Sequence, residues 1–156
     1  MSVFLVMGSK GSYNEMILQL LGEAERFLDA APKEFDRGVR ENRDEVIRDA
    51  AEKAWNSIVQ ATTALLLSRG YDEEEVKTYK QKRLKLEELS IKDSIVRGLG
   101  LRERFMAREY TLHIRCFYDG EYTTEALREE LEKSRQYLDD ITRLLKSFKN
   151  GEGLFM

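Results

Sequence analysis

Apolar residues recur at spacings of three and four along most of the chain, the period of an amphipathic helix. Over residues 13–30 the stripe is Met16, Ile17, Leu20, Leu21, Ala24, Phe27 and Leu28. Ser12 suits its N-cap, with Glu15 three residues on as the capping-box partner. Pro32 disfavours a helical Ala31, so this helix is predicted to end or kink there. The polar stretch 33–43, with Gly38 inside it, then reads as a connection. A longer stripe follows: Val46, Ile47, Ala50, Ala51, Ala54, Trp55, Ile58, Val59, Thr62, Leu65 and Leu66, closed by Arg69 and Gly70. Its width and its small alanines predict a central helix of the core. A third helix is expected after the acidic start Asp72–Glu75, with Val76, Tyr79, Leu84, Leu86, Leu89, Ile91 and Ile95 in a weaker pattern that Gly98 and Gly100 break. A fourth is expected over about 101–118, ending at the turn Asp119-Gly120. Thr123 or Thr124 caps the last helix, whose Leu127, Leu131, Ser134, Leu138, Ile141, Leu145 and Phe148 form a heptad-like seam for packing within the bundle or across a dimer. Only the short run Val3–Met7 could be a strand. The expectation is an all-α antiparallel bundle of four to five helices. It is one domain over 1–156, with loose ends at 1–11 and 149–156.

Composition narrows the function classes. The 156 residues include one cysteine, Cys116, and one histidine, His113. A lone thiol forms no internal disulfide, and two such ligands do not make a structural zinc site. No metal and no cofactor is expected. Gly8-Ser9-Lys10-Gly11 lacks the spacing of a phosphate loop. The chain shows no apolar run of membrane-spanning length and no signal-peptide pattern, so a cytoplasmic protein without membrane contact is expected.

The net charge of −3 hides an asymmetry. Residues 1–76 sum to −6, residues 77–115 to +6, and residues 116–156 to −3. A basic stretch in an acidic protein marks a candidate anion or nucleic-acid surface, and equally a solvated face balanced by neighbouring acidic helices. Its candidate binding residues are Lys82, Arg83, Arg102, Arg104 and Arg115.

The chemistry concentrates in the fourth helix. His113 is the only side chain whose ordinary pKa lies near neutrality. Arg108 precedes it by five residues, about 140° around an α-helix. Glu109, four residues before His113, is a neighbour on the same face and a candidate partner for the imidazole. Met106, Tyr110, His113 and Phe117 share one stripe, which also fits a half-buried structural histidine. Cys116 reads as a small buried hydrophobe.

Two stretches carry a family resemblance. Ala51-Glu52-Lys53-Ala54-Trp55-Asn56 lies in the second helix, and Leu112-His113-Ile114-Arg115-Cys116-Phe117-Tyr118-Asp119-Gly120 in the fourth. With the helix order, the chain resembles the helical HEPN family, and most closely its archaeal PaREP branch, over about residues 13–148. The resemblance implies a HEPN-like bundle that often dimerises. It also implies, for many members, a metal-independent ribonuclease with Arg, four to six residues, then His, a spacing that Arg108 and His113 satisfy. The family usually has a small polar residue after that arginine, where this chain has Glu109, a possible modulator whose carboxylate would repel phosphate.

Two functions from different classes follow. One is a binding module for nucleic acid, a nucleotide or a protein partner through the basic helix face. The alternative is a ribonuclease in which His113 takes the proton of an RNA 2′-hydroxyl and Arg108 stabilises charge on the phosphorus. A purely structural subunit is the third reading. A homodimer is expected in each case, with RNA, a nucleotide or a partner protein as further partners.

Overall fold

In the computed structural model, which describes the backbone of residues 3–146 and the side chains of 14–146, the chain is helical without interruption from Val3 to Glu41 (α1). This corrects three expectations. Val3–Met7 is helical rather than extended, Ser12 lies inside the helix rather than at its cap, and Pro32 does not end it. Pro32 faces solvent, while the buried stripe continues past it from Leu28 and Ala31 to Phe35 and Gly38. Burial of that stripe against the next helix outweighs the hydrogen bond that the ring removes.

Gly38 lets α1 and α2 (Asp44–Ser68) approach closely. A Cβ at position 38 would lie 2.7 Å from Ile47 Cγ1 and 2.9 Å from the Ile47 amide nitrogen. The turn between the helices is made by Asn42, at φ 54°, and by the Arg43 amide, which donates to the Gly38 carbonyl at 2.8 Å. At the far end of α2, Gly70 adopts φ 96° after the capping Arg69, as its sequence signal implied.

The expected third helix is three pieces. A 3-10 turn at Glu73–Glu75 precedes α3 (Tyr79–Lys92), and α4 (Ser94–Leu99) follows. Local caps divide them. The Thr78 hydroxyl accepts from the Gln81 amide, and the Gln81 side chain returns to the Thr78 amide. Asp93 accepts from the amides of Ile95 and Val96. The expected fourth helix is also divided, into α5 (Leu101–Arg108) and a ten-residue π-helix, Glu109–Tyr118. Thr123 then caps α6 (Thr124–Leu144), accepting from the Ala126 amide at 3.1 Å.

The result is all-α, with six α-helices where four to five were expected, and no strand among the described residues. α2 is central, as its stripe predicted: it packs on α1, α3, α5, the π-helix and α6. The seam of α6 is used inside the chain. Leu127, Leu131, Ser134, Leu138, Ile141 and Leu145 are all buried. Phe148 and the tail 149–156 lie outside the described residues. Among the described residues no helix is long and apolar enough to cross a membrane.

Candidate functional site

The π-helix decides which way the chemistry faces. Its hydrogen bonds join residues five apart, so it turns less per residue than an α-helix, and faces read off at 100° per residue shift along it. Arg108, Leu112 and Cys116 accordingly form one buried row, and Met106, Tyr110, Ile114 and Tyr118 one exposed row. The expected stripe Met106–Tyr110–His113–Phe117 is therefore split: its first two members face solvent, and its last two lie half-buried against α2 and each other. Arg48 of α2 ends the π-helix by donating to the Phe117 carbonyl at 2.8 Å and the Tyr118 carbonyl at 2.8 Å. Its guanidinium lies beside Gly120, where a Cβ would sit 3.2 Å from Arg48 Nη1.

His113 belongs to a cluster drawn from three elements. Its Nδ1 lies 2.8 Å from Glu52 Oε1 of α2, so the carboxylate accepts and Nδ1 carries the proton. The imidazole stacks on Trp55 at 5.9 Å and on Phe117 at 6.3 Å between ring centres. Tyr79 and Tyr118 meet it edge-on at 5.3 and 4.8 Å. Only 12% of the histidine side chain is exposed. Burial raises the Tyr79 phenol above its ordinary pKa, and the nearby Glu52 and Glu109 charges add to this, so Tyr79 stays a neutral neighbour at physiological pH.

The expected carboxylate partner was Glu109. That residue turns instead to α3, where Arg83 Nη1 donates to its two oxygens at 2.9 and 2.6 Å. Four residues apart, Glu109 thus faces Arg83 of α3 while His113 faces Glu52 of α2.

Arg108 faces α6 rather than α2. Its Nε donates to Glu130 Oε1 at 2.8 Å, with 8% and 12% of the two side chains exposed. Glu130 also accepts from the Thr111 hydroxyl and pairs with Lys133 at 3.4 Å. A cavity of about 360 Å³ opens here, lined by Glu103, Arg104, Ala107, Arg108, Lys133 and Gln136. His113 is not in its lining.

The remaining basic residues are held by partners within the chain. Arg104 donates to Asp140 at 2.9 Å and to the Leu99 carbonyl at 3.1 Å. Arg102 pairs with Glu87 at 3.0 Å, and Arg115 with Glu121 at 3.0 Å. Lys82 is buried, with its ammonium donating to the Val76 and Lys77 carbonyls at 2.6 and 3.2 Å. Burial pushes its pKa down to about 8. Carboxylates outside the +6 stretch, Glu121 before α6 and Glu130 and Asp140 on it, thus face three of its arginines. Burial pushes the Cys116 thiol up to about 12, which leaves no reactive thiolate near neutrality. Among the described residues no group of three or more His, Cys, Asp or Glu side chains could hold a metal ion.

The two stretches that carried the family resemblance meet in space. Glu52 and Trp55 come from the first, and His113, Phe117 and Tyr118 from the second. A model of the archaeal PaREP1/PaREP8 family matches residues 19–138. The chain belongs to that family. Comparison with curated proteins and with solved structures gave no match. The matched PaREP1/PaREP8 region contains both members of the Arg108/His113 pair and every partner just described for them.

Glu52, Tyr79, Glu130, Lys133, Gln136 and Arg48 were not singled out from the sequence as site residues. One signal was present for Glu52: it sits three residues before Trp55 in the first family stretch, hence on the same helix face. Nothing in the sequence paired Glu130 with Arg108.

Proposed function

We propose that this PaREP1/PaREP8 domain is a non-catalytic, cytoplasmic binding module of HEPN type. Its ligand carries phosphate, as a nucleic acid or nucleotide, and is held in the cleft between α5 and α6. The observation that carries the reading is the lining of that cleft: Arg104, Arg108, Lys133 and Gln136 converge on it against the single carboxylate of Glu103, and His113 lies outside it. Guanidiniums held from behind by Asp140 and Glu130 are oriented for a phosphate. Those same carboxylates compete with it, which favours weak, salt-sensitive binding over tight binding. Arg102, Arg83 and Arg115 line no part of this cleft, so their contribution is to the long-range field alone.

Anisotropy of a labelled single-stranded RNA tests the reading between 50 and 200 mM salt. Arg104→Ala and Lys133→Ala should each weaken binding and flatten the salt dependence, while Arg115→Ala should change little. Binding that is indifferent to Arg104 and Lys133 would remove the cleft from consideration.

A ribonuclease is the second reading, favoured by the Glu52–His113 pair. A carboxylate on Nδ1 holds an imidazole with Nε2 as the free base, the arrangement a general base requires. In that reading the substrate must bridge from the Arg108 cleft to His113. Cleavage in the presence of a chelator, yielding 2′,3′-cyclic phosphate ends and lost in both His113→Ala and Glu52→Gln, would replace the binding reading with this one.

A homodimer is part of the same proposal. The α6 seam that first motivated it is covered within the chain, so the motivation rests on the exposed row Met106, Tyr110, Ile114 and Tyr118. Light scattering at micromolar concentration should give twice the 18.2 kDa chain mass. Tyr110→Glu should return the monomer.

A further inference from the structure

A second cleft lies on the other side of α6, against α1, and has no place in the reading above. It encloses about 390 Å³, within the range of small-molecule sites. Leu28, Phe35 and Leu131 form its apolar floor, and Pro32 stands in its wall. Because Pro32 has no amide hydrogen, the Leu28 carbonyl loses its α-helical donor at this point.

The charged side chains at its rim favour a cation. Asp29, Asp36 and Glu132 contribute carboxylates, against the guanidiniums of Arg128 and Arg135. Arg135 is already shared among Glu25, Asp29 and Asp139. The Glu132 carboxylate has no ion pair or hydrogen bond among the described residues. The chain also shows how the floor accepts positive charge. The Arg128 guanidinium sits 4.8 Å from the centre of the Phe35 ring and 3.2 Å from Asp36. With 58% of its side chain exposed, Arg128 can swing off that ring at little cost. A ligand cation can then take its place between an aromatic face and a carboxylate.

We propose that the α1/α6 cleft binds a small amphipathic cation, an ammonium or guanidinium carried on an apolar body. The apolar part lies on Leu28, Phe35 and Leu131. The charged end reaches Asp36 or Glu132.

Phenethylammonium, its neutral analogue phenethyl alcohol and the anion phenylacetate are the probes, titrated into the ¹⁵N-labelled full chain and followed by amide chemical shifts. The ammonium should bind with a dissociation constant on the order of 1 mM, and its shifts should map to residues 28–36 and 128–135. The alcohol should bind about tenfold more weakly, and the anion not detectably. Glu132→Gln, a change at an exposed position, should weaken the ammonium by about fivefold without altering the alcohol. Leu131→Trp, which fills the cleft, should abolish both. Equal binding of all three probes, shifts that map outside the cleft, or no saturable shift at 10-fold the expected constant would each overturn the proposal. Acetyl-lysine-amide presents the same ammonium as a protein partner would. Tighter binding by it than by phenethylammonium would overturn the free-ligand form.

Discussion

The Arg108–Glu130 pair gives the most direct measure of what the α5/α6 cleft is. If Arg108 were a groove-facing catalytic group, its removal would barely touch stability. In the structure both partners are close to 90% buried and share a 2.8 Å bond, and the Thr111 hydroxyl relies on the same carboxylate. Glu130→Ala strands a desolvated guanidinium and a hydroxyl. Breaking one side of such a pair costs about 3–5 kcal/mol when burial is complete, so about 3 kcal/mol is expected here. For a domain of this size that lowers Tm by about 6–12 °C. Arg108→Ala should lose about 2–3 kcal/mol, including the packing of its stem. The double change Arg108→Met/Glu130→Leu should return to within about 1 kcal/mol of the parent, because neither charge is left unpaired. The assay is urea unfolding of all four proteins with circular dichroism, read as a double-mutant cycle. A coupling energy above about 1.5 kcal/mol is expected. Single variants within about 0.5 kcal/mol of the parent, with no coupling, would refute the structural role and return Arg108 to the solvent-facing pool.

Three further outcomes follow from contacts elsewhere. His113→Ala removes a ring stacked between Trp55 and Phe117 and leaves Glu52 unpaired, so a loss of about 1–3 kcal/mol is expected in urea unfolding; a neutral result would mean that the imidazole does not occupy the cluster. Gly38→Ala forces a methyl against the Ile47 backbone and should cost about 1–3 kcal/mol, whereas the open Gly98 should accept alanine with no loss. Lys82 carries a pKa lowered to about 8 by burial, so the unfolded chain binds its proton more tightly between about pH 8 and the ordinary lysine range near 10.4. Stability relative to Lys82→Met should therefore rise with pH through that window, by about 1–3 kcal/mol, and a falling difference would contradict the burial.

Much of the fold was legible because one stripe period served every α-helix. The central place of α2, the Thr123 cap and the α6 seam follow from residues three and four apart, which an α-helix must put on one face. What was not legible depended on a second helix. Pro32 argued locally for a stop, and only the α2 surface opposite Leu28, Ala31 and Phe35 makes continuation favourable. Glu109 was the natural partner of His113 by sequence distance. Glu52 takes that role because α2 crosses the π-helix there, a relation between residues 61 apart. The basic stretch failed in the same way. Counting charges along 77–115 could not reveal Glu121, Glu130 and Asp140 standing opposite its arginines.

The ten-residue π-helix has a consequence for how an Arg-to-His spacing is read at all. Residue count becomes direction only through the pitch of the helix that carries it. Five steps along an α-helix separate two side chains by about 140°, whereas a π-helix bonds residues five apart and turns less per residue. Helix type therefore acts as a phase setting. One residue gained or lost between Arg108 and His113 can be absorbed by a change in winding, leaving one end on α6 and the other on α2. Conversely, an unchanged count can conceal a rotated imidazole. Arg48, which clamps the last turn of this winding, sets that phase from outside the segment.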